Sequence, residues 1–147
     1  MGWTPHATVA TIIEQNGRFL MVEELDSGKL VLNQPAGHVE AGETFEQAAI
    51  RETLEETGHS VSLLALVGLY TAPGRTPDVT YHRICYVAES KFFDANRQLD
   101  DDIQRTIWMT KEELEAEKHR LRSPMVLACI NDYLANRRFP LDFIRTL

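Results

Sequence analysis

Glu52, Glu55 and Glu56 stand at positions i, i+3 and i+4 of a stretch that reads as a helix. At about 3.6 residues per turn they fall within an arc of about 100°, so three carboxylates share one face. Glu43 and Glu46 add two acids ahead of them, and Arg51, four residues before Glu55, is the only basic residue in the segment. Like charges at this spacing destabilise an isolated helix by a few tenths of a kcal/mol per pair. Glu56 also lies near the C-terminal end, where the helix dipole disfavours an anion. A hard divalent cation would relieve both strains. Mg²⁺ takes oxygen ligands, keeps several waters and is commonly shared with substrate phosphates. Such a group of oxygens could hold a divalent cation together with a phosphate. The competing reading is a solvated acidic helix face.

The spacing favours the first reading. Gly37 is followed by five residues, Glu43, seven residues, Arg51-Glu52, then Glu55-Glu56 and Gly58. This pattern resembles the Nudix box, the sequence hallmark of the Nudix hydrolases, over residues 37–59. Two positions depart from it: Thr53 and His59 stand where the family prefers apolar residues, and both are packing positions. Outside the box, Asn33-Gln34-Pro35-Ala36-Gly37-His38-Val39-Glu40, Leu121-Arg122-Ser123-Pro124 and the tail from Phe139 to Ile144 resemble one phosphatase branch of that family. Trp108-Met109-Thr110 followed by Lys111 resembles a common strand-to-helix junction in the family.

The resemblance implies a Nudix-type α/β/α sandwich, class α/β, built on a mixed β-sheet. It implies Mg²⁺, or Mn²⁺, held by Glu52, Glu55 and Glu56, with the carbonyl of Ala36 as a backbone ligand. Glu52 or Glu55 would act as general base, and Arg51 with Glu43 would orient the catalytic glutamates. A further acid from a loop before the last core strand is implied, and Asp101 or Asp102 could supply it; the alternative is a solvated acidic loop. The branch implies as substrates nucleoside di- and triphosphates and the diphosphate of hydroxymethylpyrimidine, a thiamine precursor. Two rivals stand beside this reading. Pro73 lies about fifteen residues beyond the box, as a proline does in some ADP-ribose and nucleotide-sugar pyrophosphatases. Some Nudix-like domains are binding modules instead, but those usually lose box acids, and all are kept here.

Three further residues are candidates for substrate contact. His38 adjoins the box glycine and could touch substrate, or be an ordinary polar loop residue. Arg83 shares a strand face with Tyr81 and Cys85 by period-2 alternation. It could grip a phosphate bidentately, or be a surface strand arginine. Arg75, in a Pro/Gly-containing loop, is a phosphate candidate of similar weight.

The elements that would position these groups are legible in outline. His6 to Glu14 reads as a strand, and Asn16-Gly17 as a hairpin turn. Arg18 to Leu25 is the returning strand, and Leu30 to Gln34 a short apolar one. Thr44 and Gln47 form a capping box, predicting a helix to Thr57 that stops at Gly58. Strands follow over Val61–Tyr70, Thr80–Ala88 and Ile103–Met109, with a loop from Thr71 to Asp78. Thr110 and Glu113 predict a short helix, and Ser123-Pro124 a third, with Pro124 at its first helical position and its end near Arg138. This order predicts one domain over 1–147, with helices on the faces of a mixed sheet.

Composition narrows the partners. The 147 residues carry a net charge of −7, and no Lys/Arg cluster marks a nucleic-acid face. A protein of this charge can still hold a small phosphorylated molecule through a metal ion. No run approaches the roughly 18 apolar residues of a membrane span, and the first residues do not read as a signal peptide. The expected location is the cytoplasm, and the expected state a monomer or homodimer. Cys85 and Cys129 read as small buried hydrophobes.

Overall fold

The computed structural model describes residues 2–147. Its strands are β1 (Thr4–Ile12), β2 (Glu14–Gln15), β3 (Arg18–Asp26), β4 (Lys29–Asn33), β5 (Ala36–His38), β6 (His59–Pro73), β7 (Val79–Phe93) and β8 (Ile103–Met109). Its helices are α1 (Phe45–Thr57), α2 (Lys111–Ala116) and α3 (Met125–Leu134). The strands form two sheets. One is mixed, in the order β5-β1-β7-β6, with β1 and β7 parallel and the other pairs antiparallel. The other is antiparallel, with β3 paired to β2, β4 and β8.

Alternation along the central strands sets the layers. Val9 of β1 and Ile84 and Tyr86 of β7 pack with Ala48 and Ala49 of α1 on one face of the mixed sheet. Ala10, Ile12, Cys85 and Val87, one residue out of phase, face the other core. There Phe19 and Met21 of β3, Leu114 of α2, and Val126, Cys129 and Ile130 of α3 complete the packing. The result is an α/β/α sandwich. Both cysteines are buried and free.

Local chemistry accounts for the turns that fix strand registers. Asn16 and Gly17 both have positive φ, 54° and 78°, as a type I′ hairpin turn requires. Ser27 and Gly28 repeat the device at 52° and 81°, closing β3 onto β4 at the Asp26–Lys29 pair. The β6–β7 hairpin is longer than the expected strands, running to Pro73 and resuming at Val79, with three register shifts. Such bulges add local twist.

The third helix differs from expectation at both ends. Pro124 is its N-cap rather than its first helical residue, and Ser123 Oγ accepts the Met125 N–H at 3.1 Å. The helix ends at Leu134 because Asn136 turns into the left-handed region at φ 64°. The Arg138 guanidinium then sits 4.1 Å from the Tyr133 ring centroid. Beyond it, Phe139 exchanges two backbone hydrogen bonds with Leu66 of β6, at 2.9 and 2.8 Å.

Candidate active site

Helix α1 begins with the expected capping box: Thr44 Oγ1 accepts the Gln47 N–H at 3.0 Å, and the Gln47 side chain accepts the Thr44 N–H at 2.9 Å. Gly58 ends it at φ 78°, donating to the Leu54 carbonyl at 2.9 Å. With Ala48 and Ala49 packed on the mixed sheet, the acidic face turns to β5, where Glu52 lies against Gly37 and Glu56 meets the Ala36 N–H.

Arg51 is the hub of this face. Its Nε and Nη2 donate to the two oxygens of Glu43 at 2.5 and 2.9 Å. Its Nη1 donates to Glu52 at 2.8 Å and to Glu55 at 3.0 Å, and its Nη2 also reaches the His38 carbonyl at 3.1 Å. One guanidinium therefore ties the loop after β5 to the helix and sets both Glu52 and Glu55. The Arg51 bonds, with the Glu40 N–H, pull the Glu43 carboxyl down to about 2. Glu43 thus stays ionised as an anchor for Arg51.

The remaining acids are held differently. Glu56 is 7% exposed, and its carboxylate accepts the Ala36 N–H at 2.9 Å. Burial pushes its pKa well up, and the charges of Glu24, Glu52 and Asp100 add to the push against that single hydrogen bond. Burial likewise raises Glu52, opposed by Arg51 and reinforced by Glu55 and Asp100. Carboxylate oxygens of Glu52, Glu55 and Asp100 lie within 4.8 Å of one another. This all-oxygen donor set fits a hard divalent cation. Gly37 leaves the space they use: a Cβ there would stand 2.2 Å from Glu52 Cδ and 2.4 Å from each of its carboxylate oxygens.

Comparison with known proteins agrees with this geometry. A NUDIX domain model matches residues 3–128. The chain belongs to the Nudix family. Phosphatase NudJ of Escherichia coli (strain K12) is 39% identical over 142 residues, 95% of this chain and 90% of that protein. A Nudix hydrolase structure from Nitrosomonas europaea shares 42% identity at TM-score 0.94, covering 98% of each chain. An ADP-ribose pyrophosphatase structure from Streptococcus suis 89-1591 shares the fold at TM-score 0.66 and 17% identity, over 91% of this chain and 93% of that one. The protein is accordingly a Nudix hydrolase acting on phosphoanhydrides. Among the described residues, no helix is long and apolar enough to cross a membrane.

Within this Nudix site the two departures from the box pattern have partners. Thr53 is fully buried, and its hydroxyl donates to the Ala49 carbonyl at 2.8 Å. Its one proton is thereby used, so Thr11 must donate across the 2.8 Å between the two hydroxyls, pinning α1 to β1. His59 bonds Ser90 through Nδ1 at 2.7 Å and stacks on Phe93, ring centroids 4.4 Å apart.

The acid that joins Glu52 and Glu55 is Asp100, not Asp101 or Asp102. The Asp100 N–H donates to the Glu55 carbonyl at 3.0 Å, which holds its loop beside the helix, whereas the Asp102 carbonyl accepts the Leu25 N–H at 2.8 Å. The Ala36 carbonyl belongs to β5, and its N–H is the group that holds Glu56.

A cavity of about 540 Å³ opens beside these acids. Gly37, Glu52 and Glu56 line it, as do Glu24, Asn33, Arg83 and Arg122. His38 lines it too, with Nε2 3.1 Å from His6 Nδ1 and its ring edge-on to Tyr81. Burial, then the charges of His6 and Arg122, lower the His38 pKa and favour its neutral form. Arg75 lines the rim but is engaged by Asp26 and by Ser27 Oγ, at 2.6 Å from the latter. Arg83 is not a surface arginine: it is 4% exposed and donates to Gln34 Oε1 at 2.7 Å and Asn33 Oδ1 at 2.9 Å. Sequence reasoning passed over Asp100, Glu24, Asn33 and Arg122. The pairing of β3 with β4 brings Glu24 and Asn33 together, and the Leu32–Leu121 bridge, with the Arg122 N–H on the Leu32 carbonyl at 2.9 Å, brings Arg122, though strand alternation already placed Arg83 beside Tyr81.

A pH dependence follows from Glu56 and Glu52. A carboxyl whose folded pKa is raised binds protons more tightly in the folded chain than in the unfolded one. In metal-free protein that contribution to stability is present at low pH. It is lost as pH rises from the ordinary carboxylate range through the folded values. A cation binding the same oxygens must displace those protons. Magnesium should therefore raise the melting temperature more at about pH 8 than at about pH 5.5. Thermal denaturation with and without Mg²⁺ at both pH values checks this; an equal or larger gain at low pH would contradict it.

Proposed function

We propose that this Nudix hydrolase is a magnesium-dependent phosphatase of small di- and triphosphates. The substrates proposed are nucleoside di- and triphosphates and hydroxymethylpyrimidine diphosphate, with orthophosphate as a product. The observation that carries the metal dependence is the convergence of Glu52, Glu55 and Asp100 within 4.8 Å. Gly37, with no side chain, leaves the room that Glu52 occupies there. The phosphatase class rests on the 39% identity to NudJ across nearly the whole of both chains.

Glu52, Glu55, Glu56 and Asp100 would hold the ion. Bound there, Mg²⁺ would neutralise phosphate charge and acidify attacking water. Either Glu52 or Glu55, both within reach of Arg51 Nη1, accepts the proton of the water as its oxygen bonds to phosphorus. The anhydride P–O bond breaks, and its electron pair leaves with the monophosphate. Arg51 and Glu43 act through the carboxylates they orient. Most of the rate then comes from positioning and charge stabilisation in a site prepared before substrate arrives.

Product analysis tests the reading against its rival. GDP, GTP, hydroxymethylpyrimidine diphosphate and ADP-ribose would be incubated separately with Mg²⁺. Orthophosphate from the diphosphates, with ADP-ribose turned over far more slowly, is expected. Preferential conversion of ADP-ribose to AMP would replace the phosphatase assignment with a pyrophosphatase one.

A further inference from the structure

We infer that Glu24 is a specificity-determining residue that selects substrates carrying an amino-substituted heterocycle. The inference rests on the proposed reading of the cavity as the site of a heterocyclic diphosphate.

Glu24 lies on β3, lines the cavity and is 6% exposed. A carboxylate this buried needs donors. It has two, and both go to the same oxygen: Arg122 Nη1 donates to Oε1 at 2.7 Å and Asn33 Nδ2 at 3.3 Å. Among the described residues Oε2 has no side-chain or backbone donor, so it is the acceptor offered to the cavity.

The orientation of the network is fixed from behind. Arg83 has only donors, so the Asn33 oxygen must face it, at 2.9 Å from Nη2. The Asn33 amide nitrogen is thereby turned towards Glu24. Gln34 is locked by the same logic, its oxygen on Arg83 Nη1 at 2.7 Å and its nitrogen on the Val126 carbonyl at 2.8 Å. Arg83 Nε is buried without a partner, and the bonds that orient these two amides come from its two Nη atoms. The wall therefore presents a fixed acceptor, Glu24 Oε2, next to a donor, the part-exposed Arg122 guanidinium.

An amine beside a ring nitrogen or carbonyl complements that pair. With the ring held in one register by its diphosphate, a carbonyl in place of the amine sets two acceptors against each other, and the ring N–H beside it meets the Arg122 donor. Sites built to hydrogen-bond a polar group reject its mismatch strongly, because a buried group is left unpaired. Gly37, Glu52 and Glu56, which would meet the phosphates, meet the same group in all such substrates and do not discriminate.

The variant Glu24→Gln makes the inference sharp. The two donors that hold Oε1 hold the amide oxygen of glutamine in the same place, which turns its NH₂ into the cavity. The acceptor becomes a donor with little change of shape. Phosphate release from CDP and UDP would be measured for both proteins, with magnesium titrated calorimetrically into each. Wild type should favour CDP over UDP by at least about tenfold in kcat/KM, and GDP over IDP, which lacks the amine. Glu24→Gln should reverse the CDP:UDP ratio and abolish the advantage of GDP. Absence of discrimination in wild type would overturn the inference without recourse to the variant. An equal loss on CDP and UDP, accompanied by weaker magnesium binding, would also overturn it and make Glu24 part of the metal site. Absence of turnover on any diphosphate would instead fail the proposed phosphatase reading.

Discussion

Glu52→Gln is expected to lower kcat for phosphate release by about 10³-fold while leaving the fold intact. The amide keeps the size of the carboxylate and can still accept from Arg51 Nη1, now 2.8 Å away. It loses the charge that makes Glu52 a metal ligand and the basicity that makes it a proton acceptor. Removing a carboxylate from a crowded group of acids also relieves repulsion. The metal-free variant should therefore melt at the same temperature as wild type or slightly higher. That combination, a large loss of activity with no loss of stability, separates a functional acid from a structural one. Steady-state kinetics and thermal denaturation of the same preparation measure both. Retention of wild-type kcat would remove Glu52 from the mechanism and leave Glu55 as the base.

Gly37→Ala is expected to lower kcat by about 10²-fold, the cost of roughly an ångström of misplacement at a reacting centre. The methyl group would occupy space 2.2 Å from Glu52 Cδ. The obstacle is the end of a side chain rather than backbone, so Glu52 can swing away and the chain can still fold. In doing so it leaves Arg51, Glu55 and Asp100. The variant should keep a melting temperature close to that of wild type and bind magnesium more weakly in a calorimetric titration. Unchanged kinetics would mean that the position of Glu52 does not limit the reaction.

Much of this site was legible because it is local. Glu52, Glu55, Glu56 and Arg51 lie on one helix whose two caps, Thr44 and Gly58, are written beside it, and helical spacing alone gathers them. Glu43 is bound to Arg51 across the cap. Asp100 was missed because it arrives through a loop whose path depends on where β7 ends and β8 begins; three adjacent aspartates look alike until one backbone N–H is bound to Glu55. Arg83 shows the other limit. Alternation correctly placed it with Tyr81 and Cys85, but a strand does not announce which face a second sheet will cover. Arg83, for which a phosphate grip and a surface position were both open, is among the buried polar groups. The two sheets themselves could not be separated by pattern, since β3 chooses β4 and β8 over the mixed sheet through turns and packing that span much of the chain.

If the clustered carboxylates hold a divalent ion for phosphoanhydride hydrolysis, chelation must stop turnover. Orthophosphate release from GDP, followed continuously in magnesium and then after addition of excess EDTA, tests it most directly. Turnover that stops on chelation and resumes when magnesium is restored is the predicted result. Turnover that continues undiminished in EDTA would contradict the account.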